Sequence, residues 1–179
     1  ASMKKKTLAL VLALTLLVAG VVGGTLAWLT AQTDEVKNTF TVGDINIGLT
    51  ETTADYKMVP GNTIAKDPTV TVKANSEACW LFVKVTESTD LKDFITYAIA
   101  EGWTALSGVD GVYYREVPAS AADQTFSVLA DDAVTVKSDV TRTMLETAKT
   151  DAPTLTFQAY AIQKDHFATA DAAWAEVSK

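Results

Sequence analysis

The sequence predicts an all-β domain, a β-sandwich with short helical insertions, preceded by an N-terminal apolar helix. Apolar and polar residues alternate with period two in several runs, as in Thr69-Val70-Thr71-Val72-Lys73 and Leu155-Thr156-Phe157-Gln158-Ala159-Tyr160-Ala161-Ile162. Turn residues interrupt the runs at short intervals, which gives about eight to ten short strands and little helix. Ahead of these, Lys4-Lys5-Lys6 leads into an uncharged run from Thr7 to Thr33 that is rich in Leu, Val and Ala.

That leader has the basic, apolar and small-residue parts of a secretory signal. Gly20, Gly23 and Gly24 weaken its helix where a signal peptidase needs extended chain. The sequence predicts cleavage after Ala27, so that residues 1–27 are the signal peptide and Trp28 opens the mature chain. Ala1-Ser2 before Met3 reads as a cloning scar. The run also has the length of about 20 residues that a membrane span requires, so a retained transmembrane helix is the alternative. In either case the working part of the protein stands outside the cytoplasm, secreted or held at the cell surface.

Without the leader about 150 residues remain, one ordinary domain able to bury roughly two thirds of its unfolded surface. Cys79 is the only cysteine, so no intramolecular disulfide forms. Secreted proteins without disulfides suit a Gram-positive surface. The apolar run Cys79-Trp80-Leu81-Phe82-Val83 makes Cys79 a small core residue rather than a reactive thiol. The net charge is −7, and the three leader lysines offset a still more acidic mature part. No basic footprint for nucleic acid is present.

The elements follow in order. Phe40 and Val42 share one apolar phase and Ile45, Ile47 and Leu49 another. The slip at Gly43-Asp44 predicts a bulge or bend between two strand segments. Pro60-Gly61 marks a turn, Asp67-Pro68 the start of a strand, and residues 74–77 a loop. Residues 79–85 are apolar on both faces at their start, which predicts a central strand covered on both sides. Residues 90–94 read as a short helical turn, with a strand from about Thr96 carried by Ile95, Tyr97 and Ile99. Residues 102–106 and 112–117 flank a Gly-bearing loop and predict a hairpin. Short strands are expected at 126–128 and 134–136, separated by Asp131-Asp132. A helix over 141–150 would present Met144, Leu145 and Ala148 on one face. Residues 155–162 are a strong strand. A terminal helix over 169–177 would be capped by Thr169, with Ala173, Trp174 and Val177 inward.

Catalytic signatures are not found. His166 is the single histidine, so there is no His-Glu-x-x-His zinc helix, and neither a Gly-x-Ser-x-Gly elbow nor a phosphate-binding glycine loop occurs. His166 reads as a turn residue before the terminal helix. Asp131, Asp132 and Asp165 could supply oxygen ligands to calcium, but without EF-hand spacing they read as solvated surface. Trp80, Trp103, Tyr113 and Tyr114 could form a sugar-binding platform, although aromatics of a sandwich more often pack in the core or across strands. The sequence therefore predicts a protein that is not an enzyme, with no catalytic residue, no metal ligand set and no cofactor.

Gly23-Gly24-Thr25-Leu26-Ala27-Trp28-Leu29-Thr30, followed by Asn38-Thr39-Phe40-Thr41-Val42-Gly43-Asp44-Ile45-Asn46-Ile47, resembles the precursor start of the TasA and camelysin (CalY) family. Val59-Pro60-Gly61, Lys66-Asp67-Pro68-Thr69-Val70-Thr71-Val72, Val112-Tyr113-Tyr114 and Thr156-Phe157-Gln158-Ala159-Tyr160-Ala161-Ile162-Gln163 extend the resemblance over nearly the whole chain. These are secreted biofilm-matrix fibre proteins of Gram-positive bacteria, trimmed by a SipW-type signal peptidase. The resemblance implies a jelly-roll domain over residues 43–179 and a homopolymeric filament built by donor-strand complementation. Residues 28–42 would be the donor, with Trp28, Leu29, Val36, Phe40 and Val42 as its apolar anchors. The implied partners are further copies of the chain and the SipW-type peptidase, with the membrane met only through an uncleaved leader. The implied location is the extracellular matrix or cell surface. Camelysin has been classed as a metallopeptidase; with no zinc motif here, that activity is not carried over and remains a rival reading beside a membrane-tethered domain that does not polymerise.

Overall fold

The computed structural model describes residues 29–30, 45–52 and 55–179, and at 29–30 and 55–56 the backbone alone. The leader over 1–27 and the bend at Gly43-Asp44 lie outside the described residues.

The described chain is all-β in character, with strands joined by short helices. Twelve strands follow in order: β1 (Leu29–Thr30), β2 (Ile47–Thr50), β3 (Asp55–Tyr56), β4 (Thr63–Ala65), β5 (Thr69–Val72), β6 (Cys79–Glu87), β7 (Ile95–Thr96), β8 (Thr104–Ala105), β9 (Val112–Val117), β10 (Gln124–Ser127), β11 (Ala133–Val136) and β12 (Leu155–Gln163). Helix α1 (Leu91–Phe94) precedes β7, α2 (Arg142–Ala148) precedes β12, and α3 (Ala170–Val177) follows it. The sheets are antiparallel, in the orders β10-β5-β2, β4-β11-β7 and β12-β6-β9-β8, beside a two-residue ladder of β1 with β3.

Strand β6 organises the domain. Its nine residues pair with β12 from Cys79↔Gln163 to Glu87↔Leu155, and with β9 from Cys79↔Val117 to Lys84↔Val112. Because side chains alternate across a sheet, Leu81, Val83 and Val85 face one way with Phe157 and Ala159 of β12. There they meet Ile47 and Leu49 of β2, Val70 and Val72 of β5, and Val134 and Val136 of β11 in one large core. Trp80 and Phe82 face the other way with Ile162 and Val112, under Ala170, Ala173 and Val177 of α3. This is the two-sided burial that the apolar run at 79–83 predicts. Thr169 caps α3 by accepting from the Ala172 N–H at 3.3 Å. Trp174 reaches down between Phe82 and Tyr160, with ring centroids 5.3 and 5.2 Å away.

The other elements follow their sequence signals closely. Thr141 caps α2 through the Met144 N–H at 3.3 Å, and Ala148, Met144 and Leu145 turn to the core. The β8–β9 hairpin closes at Gly111, whose φ of +72° suits glycine. A Cβ there would stand 2.4 Å from the Val85 carbonyl oxygen, which leaves room for hydrogen alone. Strands β3 and β4, which carry no clear alternation of their own, are absent from the sequence reading.

The Lys66-Asp67-Pro68 segment holds a buried charge. The Lys66 side chain is 0 % exposed and its Nζ donates to Glu51 Oε1 at 2.6 Å, the Glu51 side chain being 5 % exposed. The ammonium also lies 5.4 Å from the centroid of the Phe157 ring. Burial pulls the Lys66 pKa below the ordinary lysine range, and the bond to Glu51 opposes that pull. Next to it, Asp67 accepts from the Thr52 hydroxyl and from the Thr52 N–H at 2.9 Å, which holds its carboxyl below the usual carboxylate range.

Candidate functional site

Strand β7, at Ile95–Thr96 shorter than the strand the alternation predicts, is an edge of the β4-β11-β7 sheet, and residues 97–100 run on from it beside residues 128–130. The Ile95 N–H is used by the Leu91 carbonyl at the end of α1. Beyond it, the chain bonds to one side at alternate residues. The Phe94 carbonyl accepts from Lys137 N–H at 2.9 Å, Ile95 and Thr96 pair with Val136 and Thr135, the Ala98 carbonyl accepts from Ala130 N–H at 2.9 Å, and Ala100 N–H donates to the Val128 carbonyl at 2.9 Å. Successive residues of an extended chain aim their main-chain groups to opposite sides. Tyr97 and Ile99 therefore aim theirs away from β11 and from residues 128–130, and among the described residues those N–H and C=O groups have no partner.

A groove of about 410 Å³ runs along this open side, between the edge and the ends of β6 and β9. Leu91, Ile95, Tyr97, Ile99 and Tyr113 line it, with Glu87, Lys92 and Lys137 at the rim. A second depression of about 410 Å³ continues past Tyr97 and Tyr113 to Asp110 and Gly111. Ile95 is buried, while Tyr97, Ile99 and Tyr113 are half-buried and pack against the core. The Tyr97 hydroxyl donates to Glu87 Oε1. Burial first, and this bond second, raise the Tyr97 pKa above its ordinary value, so the phenol stays neutral. The groove thus sets main-chain donors and acceptors beside a mixed lining, apolar at Leu91, Ile95 and Ile99 and polar at Glu87, Lys92, Thr96 and Lys137. That is the chemistry for holding an extended chain.

Of the residues singled out from sequence, Ala27, Trp28, Val36, Phe40 and Val42 lie outside the described residues. Leu29 pairs through its backbone with Tyr56, and Thr30 with Asp55. Cys79 is buried, and desolvation pushes its thiol up to about 12. His166 stands exposed in the 3-10 turn Lys164–His166 before α3. Asp131, Asp132 and Asp165 do not converge: among the described residues, no three His, Cys, Asp or Glu side chains are grouped to hold an ion.

The four aromatics divide between the two faces of the β12-β6-β9-β8 sheet and make no platform. Trp80 and Tyr114 meet edge to face at 5.8 Å on the α3 side, and Trp80 Nε1 donates to the Phe167 carbonyl at 2.9 Å. Trp103 and Tyr113 belong to the large core, where Trp103 Nε1 donates to the Ser127 carbonyl at 2.8 Å. Arg115 joins them from β9, its guanidinium 3.9 Å from the Phe126 ring centroid and 5.3 Å from that of Trp103.

The open edge is the feature the sequence reading missed. Its signal was the alternation of Ile95, Tyr97 and Ile99, which marks a strand but says nothing of which side is left unpaired. No protein-family description, curated protein or solved structure matches this chain.

Proposed function

We propose that this chain is a structural subunit of an extracellular fibre or biofilm matrix, secreted, trimmed after Ala27 by a SipW-type signal peptidase, and polymerised by donor-strand complementation. On this reading the described sheets are a jelly-roll domain and the leader is a signal helix. The observation that carries the reading is sequential: a secretory leader is followed at once by an alternating segment, residues 28–42, that resembles the start of TasA and camelysin. An open edge with unpartnered main-chain groups supports it, since strand addition gains hydrogen bonds there and also hides an aggregation hazard. The leader would hold the donor at the membrane until cleavage frees it.

Negative-stain electron microscopy of two purified chains tests the reading, one beginning at Trp28 and one beginning after Val42. Filaments from the first and monomers from the second are expected. Monomers from both would refute it and leave a membrane-tethered surface domain, the reading favoured by the uncharged run from Thr7 to Thr33. Cell fractionation then separates shed from membrane-bound protein.

A further inference from the structure

We infer that Arg115 is the anchor of an oxyanion site, one that takes the carboxylate or phosphate group of a ligand at the seam between two sheets. The inference stands apart from the fibre reading. Strand β8 ends the β12-β6-β9-β8 sheet and β10 ends the β10-β5-β2 sheet, and Arg115 reaches from β9 of the first to Phe126 of the second. Trp103, just ahead of β8, crosses the same seam through its bond to the Ser127 carbonyl. The guanidinium is held in place there. Its Cζ lies 3.9 Å from the centroid of the Phe126 ring. The Gly102 backbone closes on it as well: φ is +88°, and a Cβ there would stand 2.9 Å from Nη2 and 3.3 Å from Cζ. Glycine alone allows both that conformation and that approach. An arginine that only covers apolar surface keeps its head free in water; this one has lost that freedom.

The head has also lost water without gaining a partner. Nε is buried and donates to nothing among the described residues. Nη1 and Nη2 stay open to solvent, and among the described residues no carboxylate or carbonyl oxygen accepts from them. Glu116, the next residue, is bonded to Lys164 on the opposite face of the strand. Burial lowers the Arg115 pKa from the ordinary arginine value, and no carboxylate opposes that pull. The charge persists all the same, since a guanidinium keeps its proton in proteins. Buried donors without partners are rare in folded proteins. A fixed, planar pair of outward N–H groups is the geometry that grips a carboxylate or phosphate through two parallel hydrogen bonds. An oxyanion docked on Nη1 and Nη2 would return hydrogen bonds and counter-charge to a cation that has neither. In a chain of net charge −7, a cation kept clear of carboxylates is the exception, and an anionic ligand requires it.

The chain holds two arginines, Arg115 and Arg142, so labelling with nitrogen-15 arginine gives two Nε–H resonances. Arg142, exposed on α2, is the internal control. The full chain, dispersed in non-ionic detergent at mildly acidic pH, is titrated with sodium acetate and separately with sodium phosphate, chloride holding the ionic strength constant. A shift at Arg115 that saturates by about 100 mM is expected, with Arg142 moving at least about fivefold less. Saturation with acetate alone assigns a carboxylate ligand, with phosphate alone a phosphate ligand, and with both the oxyanion chemistry the two share. Thermal melting in the same buffers is the second readout. Either effective anion should raise the midpoint of the unaltered chain and leave that of Arg115→Lys unmoved, since lysine keeps the charge but not the fork. Shifts that grow linearly at both arginines, no shift at Arg115 with either probe, or an equal rise in Arg115→Lys would overturn the site. The titration needs no variant, so it decides the matter even where Arg115→Lys fails to fold.

Discussion

Replacing Glu51 by Gln keeps the shape of the side chain and removes the charge that faces Lys66. The ammonium, 0 % exposed and 2.6 Å from that carboxylate, would lose the charge it donates to, while the field of Asp67 remains. Removing one member of a buried pair costs about 3–5 kcal/mol, because the remaining charge keeps its desolvation penalty. At about 2–4 °C per kcal/mol for a domain of this size, the melting temperature should fall by roughly 6–20 °C. Lys66→Met combined with Glu51→Gln should recover much of the loss, since no charge is then buried. The pH dependence carries a sign. In Glu51→Gln the carboxylate no longer opposes the burial that lowers the Lys66 pKa. The folded state then releases its proton at lower pH than the unfolded state does. Between those two values the unfolded state binds more protons, so the stability of the variant rises with pH. Urea unfolding followed by tryptophan fluorescence at about pH 7 and about pH 9 measures both effects. A loss under about 1 kcal/mol, or a double variant no better than Glu51→Gln, would refute the argument that this pair is a buried, mutually dependent charge.

Three further outcomes follow from the packing. Trp174→Ala should cost about 1–3 kcal/mol, since the half-buried ring covers Phe82 and Tyr160; calorimetry checks this, and a loss near that of an exposed residue would show that α3 does not seal the second core. Thr169→Ala should cost about 1 kcal/mol through the lost cap of α3, read from the urea midpoint. Cys79 should resist alkylation in the native chain at a rate set by unfolding, followed by intact mass; because its folded pKa of about 12 exceeds the ordinary 9.0, its contribution to stability is complete below about pH 9 and is lost as pH rises towards 12.

Much of the fold was legible in the residues because the signals were local. The run Cys79-Trp80-Leu81-Phe82-Val83 announces a strand buried on both faces without any knowledge of what covers it. The terminal helix was readable from Thr169 and the spacing of Ala173, Trp174 and Val177. Strand order was not readable, since antiparallel partners such as β5 and β10 are far apart in sequence and alternation is the same whichever neighbour a strand takes. For that reason the open side of Tyr97 and Ile99 could not be foreseen. The Lys66–Glu51 pair was hidden for a related reason. A lysine between Ala65 and Asp67 reads as surface, and its burial depends on Phe157, which arrives from the other end of the chain. The aromatic set was misleading as a platform because Tyr113 and Tyr114, adjacent in sequence, point to opposite faces of one strand.

The placement of β6 has a consequence for motion. Over Cys79–Lys84 it is bonded on both edges, and through Val83 each residue is buried on its own face. No fraying end or lifted helix alone releases its amide protons. Removing α3 bares one face but breaks no ladder, and opening β9 leaves β12 in place. Hydrogen exchange along this stretch is therefore tied to disassembly of the whole domain. Its amides act as a clock for complete unfolding, against which the faster exchange of residues 94–100 can be timed.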